Sequence, residues 1–188
     1  VLKRSIFKQL HLKRPDVLLA AGIGEDCAAF AVAEDEVAVI SADPVIWEDS
    51  LDGRCAVHAN LNDLAAGGAE PVGLMLTALL PPEIEEAQMR QMVQMIAQEC
   101  EPLQVQILGG HTEVTDAVKR PVVSIAAVGK AKKGMLSTTT GAKPGDDIVV
   151  TKWIALEATA KLARSRREAL LSRYPRHLLD DAERFQQY

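Results

Sequence analysis

The chain has 188 residues and a net charge of −5; 48% of its residues are hydrophobic and 25% are charged. This composition is typical of a globular protein, and its acidic balance gives no reason to expect nucleic acid as a partner. No apolar run reaches the roughly 18 residues of a membrane-spanning helix, so we expect no membrane association. The three cysteines, Cys27, Cys55 and Cys100, have no CxxC spacing, which predicts reduced thiols in a cytoplasmic protein.

The first elements are predicted to be a short helix and a β-hairpin. Residues 5–12 have a helical pattern that stops before Pro15. The segments CAAFAV (27–32) and VAVISA (37–42) predict two strands, joined by a turn at AEDE (33–36). Residues 44–53 then predict a loop long enough to be functional or mobile, and we expect it to be mobile when no ligand is bound.

The middle of the chain alternates helices and strands. Apolar residues at three-to-four spacing predict a helix over 54–66, ended by Gly67 and Gly68. The segment VGLMLTALL (72–80) predicts a strand, and 83–100 predicts a helix whose methionine stripe faces the core. Two further strands are predicted, over VQILGG (105–110) and PVVSIAAVGKA (121–131).

The last part of the chain is predicted to be helical. Glycines and prolines after Thr138 predict a connection, followed by a short strand at IVVT (148–151). Helical patterns then run over 155–166, 168–174 and 177–187. Strands that are neighbours in sequence, mixed with helices, predict an α+β fold with a mostly antiparallel sheet.

Three acidic motifs lie at the ends of predicted elements and include candidate metal ligands. They are GIGEDCA with Asp26, SADP with Asp43, and NLNDLAAGG with Asp63. If these carboxylates converge, they suit Mg²⁺, which prefers oxygen ligands and keeps waters or phosphates in its shell. The alternative is that each acid only terminates a turn or faces solvent.

The segment GGHTE follows a predicted strand and is a candidate phosphate or metal site. It contains Gly109, Gly110, His111, Thr112 and Glu113. Glycines allow backbone N–H groups to approach phosphate oxygens, and the side chains add polar atoms. His111 could face a metal or phosphate, act as a catalytic base, or form only local hydrogen bonds. The first and last of these are favoured over the catalytic base.

Taken together, the motifs GIGEDCA, SADP, NLNDLAAGGAEP, GGHTE and GAKPGDDIVVT resemble, in order and spacing, one superfamily over residues 17–160. These are the ATP-binding, PurM-like proteins related to aminoimidazole ribonucleotide synthase, which include thiamine-monophosphate kinase, selenophosphate synthetase and HypE. The resemblance implies an N-terminal domain over 1–140 that pairs its sheet with a second copy in an intersubunit β-barrel. It also implies that ATP and Mg²⁺ bind near that interface. Residues 141–188 are implied to be the beginning of a truncated C-terminal α/β domain.

The resemblance assigns a role to each motif residue. Asp26, Asp43 and Asp63 are implied to bind magnesium and phosphate. Gly109, Gly110 and Thr112 look like a nucleotide-facing turn, and Asn60 and Asn62 fall in a nucleotide-binding motif. The implied catalytic residues are Asp63, His111 and Glu113.

Two departures bear on which member of the superfamily the chain resembles. His111 stands where thiamine-monophosphate kinase and typical HypE proteins have Asp, and Ala42 stands where threonine is usual. The GGHTE segment as a whole looks most like a HypE-like hydrogenase maturation factor, which activates a carbonyl or thiocarbamate oxygen by phosphorylation. The alternatives are a small-molecule kinase or synthetase acting on an unidentified acceptor, or a non-catalytic binding and dimerisation module.

Overall fold

The structure, a computed structural model, describes residues 6–48 and 51–185. The chain divides into two compact units, Val1–Gly141 and Ala142–Tyr188. The predicted site residues all lie in the first unit.

The first unit is built on one open, six-stranded sheet. Its strands are β1 (Val17–Leu19), β2 (Cys27–Ala31), β3 (Glu36–Ile46), β4 (Glu70–Leu80), β5 (Gln106–Val114) and β6 (Val122–Lys132). Their order across the sheet is β1-β2-β3-β6-β4-β5, so β5 and β1 are the edges. Four pairings are antiparallel and the β4–β5 pairing is parallel. The sheet is therefore mixed, and the prediction of an α+β fold with mostly antiparallel pairing is confirmed.

Two helices cover one face of this sheet. Helix α1 (Leu51–Ala66) packs on β3 and β6, and α2 (Glu86–Cys100) packs on α1 and β5. Alternate strand residues turn toward them, as the period of two in a strand requires. On β3 this face carries Val37, Val39 and Ser41, all buried. Each helix contributes apolar side chains to the same core, among them Leu64 and Ile96.

Neither α1 nor α2 covers the opposite face of the sheet. One row across it runs from Ala42 through Ala126 to Met75, which are register partners on β3, β6 and β4. Phe30 and Ile46 lie on the same face and are exposed. Apolar side chains, both small and large, are therefore exposed on this open face.

The predicted first helix and the predicted loop differ from the structure. Over the described part of residues 5–12, only a 3-10 turn forms, at Phe7–Gln9. Strand β3 continues to Ile46 because its ladder with β6 pairs Pro44, Val45 and Ile46 with β6 residues. Helix α1 already includes Gly53, and Asp49 and Ser50 lie outside the described residues. The loop boundaries were therefore wrong at both ends, and its mobility stays a prediction.

Over residues 142–185, the part of the second unit that the structure describes, there are three helices: α3 (Leu156–Ser165), α4 (Arg167–Leu171) and α5 (Arg176–Glu183). Helices α3 and α5 pack together through small and apolar residues, including Ala160, Ala163 and Leu179. The strand predicted at 148–151 is wrong, because Ile148 and Val149 are almost fully exposed and have no strand partner. Across the described residues, no helix is both long and apolar enough to cross a bilayer.

Candidate functional site

An acidic cluster lies where β3 meets α1. The Asp63 carboxylate on α1 accepts a hydrogen bond from the Ser41 hydroxyl on β3, at 2.6 Å. One turn earlier, the Asn60 side-chain oxygen accepts a hydrogen bond from the backbone N–H of Asp43, at 3.1 Å. Asn60 is fully buried, and its amide nitrogen donates to the carbonyl of Ala56. Asn60 therefore fixes the backbone of Asp43 to α1, and Ser41 orients the carboxylate of Asp63.

The two carboxyl groups of the cluster repel each other. Partial burial raises the pKa of Asp63 above its usual range, the Ser41 hydrogen bond opposes this, and the nearby Asp43 carboxyl raises it further. The fold keeps two carboxylates close together although their negative charges repel each other. A bound cation would relieve this repulsion, so the pair is suited to cation binding.

A cleft of about 140 Å³ adjoins this cluster. Its acidic side is lined by Glu25, Asp26 and Asp63, with the half-buried thiol of Cys27 between them. The Cys27 thiol contacts the backbone carbonyl of Asp63 at 3.3 Å. Burial, and then the charges of Asp63, Asp26, Glu25 and Asp43, raise the pKa of Cys27 to about 11. The cleft is thus strongly negative.

Three residues with hydroxyl side chains, Ser137, Thr138 and Thr139, also line the cleft. Thr139 donates a hydrogen bond to the Glu25 carboxylate. The segment is attached to the end of α1 because the Ser137 N–H donates to the carbonyl of Gly67, at 3.0 Å. The cleft therefore combines carboxylates with hydroxyl donors on a fixed backbone.

The structure brings the three predicted metal ligands to one region. Asp26 and Asp63 line the same cleft, and Asp43 lies beside Asp63. Within the two described ranges, however, no group of three or more His, Cys, Asp or Glu side chains is arranged to hold a metal ion. Mg²⁺ is commonly bound by one or two protein carboxylates, and phosphates or waters complete its coordination shell. The carboxylates of Asp43 and Asp63 fit this kind of magnesium site.

The residues of the GGHTE segment lie away from the acidic cluster, on strand β5. They form part of edge strand β5 rather than a turn. His111 pairs with Thr77 and Glu113 with Leu79, positions on the open face of the sheet, whereas the acidic cluster lies on the helix-covered face. Strands β3 and β5 are three positions apart in the sheet, or about 14 Å at ordinary strand spacing.

The side chains of this segment are largely exposed. His111 Nε2 lies 3.6 Å from a Glu113 carboxylate oxygen, and these side chains are 67% and 56% exposed. Thr112 points to the opposite face from His111, since it is its neighbour in a strand. Asn62 is exposed on α1, next to the acidic cluster in sequence. The catalytic and nucleotide-binding roles of these residues stay predictions.

The two glycines of this segment differ in their surroundings. Both have φ of +152°. A Cβ on Gly110 would lie 1.8 Å from the backbone oxygen of Leu76, whereas a Cβ on Gly109 would approach nothing closer than the Met75 sulfur at 3.9 Å. Gly110 is therefore required by the close approach of β4 and β5, whatever binds nearby.

The sequence predictions assigned no site role to several residues of the acidic cluster and the cleft. Ser41 precedes Asp43 by two strand positions, so the same face was predictable from the period of two. Glu25 and Cys27 flank Asp26 in the same motif. Ser137–Thr139 carried no local signal, because their place at the cleft depends on contacts with the distant end of α1.

Comparison with known proteins identifies the first unit. Residues 24–131, more than half of the chain, match the family model for the AIR synthase related protein, N-terminal domain. The thiamine-monophosphate kinase of Escherichia coli is 33% identical over 154 residues, which are 77% of this chain and 45% of the relative. The carbamoyl dehydratase HypE of Cupriavidus necator is 30% identical over 154 residues, 78% of this chain and 43% of the relative.

A solved structure has the same fold over most of this chain. The structure described as AaThiL complexed with AMPPCP and TMP has a TM-score of 0.67 at 20% identity, covering 90% of this chain and 59% of that chain. This chain spans about half the length of the curated relatives it matches. On the match over residues 24–131, the chain belongs to the AIR synthase-related family and contains its N-terminal domain.

Proposed function

We propose that this chain is the nucleotide-binding part of an Mg-ATP-dependent enzyme. The observation that carries the proposal is the Asp43–Asp63 pair, held by Asn60 and Ser41 beside a cleft that also contains Asp26. The thiamine-monophosphate kinase relatives and the AMPPCP-bound neighbour support ATP as the nucleotide.

In this proposal, Asp43 and Asp63 bind Mg²⁺ and Asp26 supports them from the cleft. The bound metal offsets negative charge on the phosphates, which is what phosphoryl transfer mostly requires besides positioning. Ser41 keeps the Asp63 carboxylate turned toward β3, and Asn60 keeps Asp43 at a fixed distance from α1. Ser137 and Thr138 line the cleft, so their hydroxyls are the candidate donors to phosphate oxygens.

The proposal includes a homodimer through the open face of the sheet. Neither α1 nor α2 covers that face, and it exposes large apolar side chains such as Ile46 and Met75. His111 and Glu113 lie on it, away from their own acidic cluster. A second copy seated on this face would bring its own polar residues near His111, Glu113 and Gly109. In this arrangement His111 and Glu113 face metal or phosphate at an intersubunit site.

Among the relatives, we favour a HypE-like maturation factor that activates a carbonyl or thiocarbamate oxygen by phosphorylation. The 30% identity to HypE supports it, and the comparable 33% identity to thiamine-monophosphate kinase keeps a small-molecule kinase or synthetase as the second candidate. In either case residues 1–140 form the ATP-binding and dimerisation domain, and 141–188 begin a second α/β domain. A non-catalytic binding and dimerisation module is the third candidate.

The test is Mg²⁺-dependent ATP binding, measured by calorimetry with the 188-residue chain. We expect the wild type to bind ATP only with Mg²⁺ present, and Asp63→Asn to weaken binding by at least about tenfold, as loss of a charged ligand requires. Asp116→Asn is the matched control, because Asp116 is an exposed acid after β5. Equal affinities for the wild type and Asp63→Asn would contradict the assignment of Asp63.

A further experiment separates an enzyme from a binding module. The formation of ADP and of free phosphate from Mg-ATP is measured for the chain together with candidate acceptors, including a carbamoylated cysteine peptide. The HypE-like candidate predicts ADP and free phosphate that both depend on this peptide, because the phosphoryl group is lost after transfer. The kinase candidate predicts ADP without free phosphate, in a reaction that depends on a small-molecule acceptor and leaves that acceptor phosphorylated. ATP binding without ADP formation under any of these conditions would favour the module.

A further inference from the structure

A second cavity lies at the far end of β3, between α2 and the segment that leads into β6. Its volume is about 620 Å³, within the range of small-molecule sites. Trp47 lies in its wall, four residues beyond Asp43 and so about 13 Å along an extended chain. This cavity shares no lining residue with the acidic cleft.

One wall of the cavity is the half-buried aromatic ring of Trp47. The backbone N–H of Trp47 donates to the carbonyl of Pro121, at 2.9 Å. The indole packs against α1 at Gly53, where a Cβ would lie 3.1 Å from Trp47 Cη2 and 2.9 Å from Met95 Cβ. Met92 and Met95 of α2 complete the apolar surface. Aromatic rings and methionine thioethers are favourable partners for a flat ring.

The polar groups of the cavity carry no net charge. Arg120 forms an ion pair with Glu48, so their charges offset each other. Gln88 and Gln91 of α2 add two side-chain amides. The Gln88 carbonyl oxygen accepts a hydrogen bond from the N–H of Glu85, at 2.9 Å, which fixes its amide and leaves the amide nitrogen as a donor. A glutamine side chain carries both a donor and an acceptor. It can therefore form hydrogen bonds with a ligand group that has a donor beside an acceptor.

We propose that this cavity binds a neutral, flat aromatic or heteroaromatic group that carries a carboxamide or an equivalent donor–acceptor edge. The ring packs on Trp47 and the two methionines, and the edge pairs with the amides of Gln88 and Gln91. Because Arg120 and Glu48 neutralise each other, a neutral group enters more readily than a charged one.

The test uses benzamide as the probe and the ¹⁵N-labelled 188-residue chain. The chain has two tryptophans, so Trp153→Phe assigns the remaining indole N–H signal to Trp47. We expect benzamide to shift the Trp47 indole signal saturably, with an affinity in the millimolar range. Cyclohexanecarboxamide has the same edge without a flat ring, and we expect it to shift this signal far less.

Gln91→Ala tests the polar part of the site, and Gln94→Ala is its matched control. Both residues are exposed on α2, but Gln94 does not line this cavity. We expect Gln91→Ala to weaken benzamide binding by about fivefold, the range of one hydrogen bond, and Gln94→Ala to leave it unchanged. No shift with benzamide, equal shifts with both probes, or equal effects of the two variants would each overturn the proposal. None of these outcomes bears on ATP binding, which is measured separately.

Discussion

The Cys27 thiol lies among four carboxylates at the acidic cleft, and this position governs its chemistry. Burial and the surrounding charges raise its pKa from 9.0 to about 11. The native chain therefore keeps this proton to a higher pH than the unfolded chain does. The resulting contribution to stability is fully present below pH 9 and is lost as pH rises from about 9 to 11. A nucleophilic role for Cys27 at neutral pH is disfavoured for the same reason.

At the residue scale we predict that Cys27 reacts slowly with iodoacetamide in the native state. A pKa two units higher lowers the thiolate fraction at pH 8 by about 100-fold, and alkylation requires the thiolate. The rate is measured at Cys27 by peptide mass spectrometry, for native and urea-unfolded chain. Asp63→Asn removes one of the charges that raise the pKa, so we expect it to speed native labelling. Equal rates in the native and unfolded chains would contradict this account of the cleft.

At the scale of elements, the pairing of β4 with β5 requires a glycine at position 110. The GGHTE motif did not reveal this structural reason for the glycine. Gly110 belongs to GGHTE, a motif that suggested a phosphate-binding turn, yet it lies within β5 against the backbone of Leu76. The parallel pairing of β4 and β5 brings the two backbones too close for any side chain at this point. The glycine is thus needed for the sheet, independently of a nucleotide.

We therefore predict that Gly110→Ala is much more destabilising than Gly109→Ala. Both substitutions force alanine to adopt φ of +152°, but only at Gly110 does the new Cβ collide with backbone atoms. We expect Gly110→Ala to lower the free energy of unfolding by at least about 2 kcal/mol more than Gly109→Ala. Urea unfolding followed by circular dichroism measures both. If the two variants lost similar amounts of unfolding free energy, the close contact between β4 and β5 would not be what requires glycine at position 110.

At the scale of the whole molecule, the open face of the sheet is the feature that the single chain leaves unexplained. Helices α1 and α2 bury one face, whereas the other shows exposed apolar side chains such as Met75 and Ile46. Contiguous exposed apolar surface of this kind usually marks an interaction site. The homodimer that we propose would cover it and would bring His111 near polar groups of a second copy.

We predict that Met75→Lys converts a dimer to a monomer, because it places a charge in the middle of this face. Val93→Lys is the matched control: Val93 is 46% exposed on α2, against 43% for Met75 on the open face. Light scattering coupled to size exclusion measures the mass of each variant. A monomeric wild type would refute the dimer, and dissociation by Val93→Lys alone would place the interface on the helices.

The sequence by itself determined most of the elements and the acidic motifs. Hydrophobic periodicity located the two long helices and the strands β2, β4 and β6, because those patterns are local. It failed where tertiary pairing overrides local signals: β3 runs on through Pro44 because β6 pairs with it, and the apolar residues at 148–151 form no strand because they find no partner.

Only the tertiary structure decided which of the predicted site residues meet. Asp43 and Asp63 come together because α1 packs against β3, and Asp26 lies nearby because β2 pairs with β3. His111 and Glu113 lie three strands away on the other face. The period of two fixes which residues of one strand share a face, but no local pattern gives the order of strands in a sheet. That order, β3-β6-β4-β5, is set by long-range pairing, and it separates GGHTE from the acidic cleft within one chain.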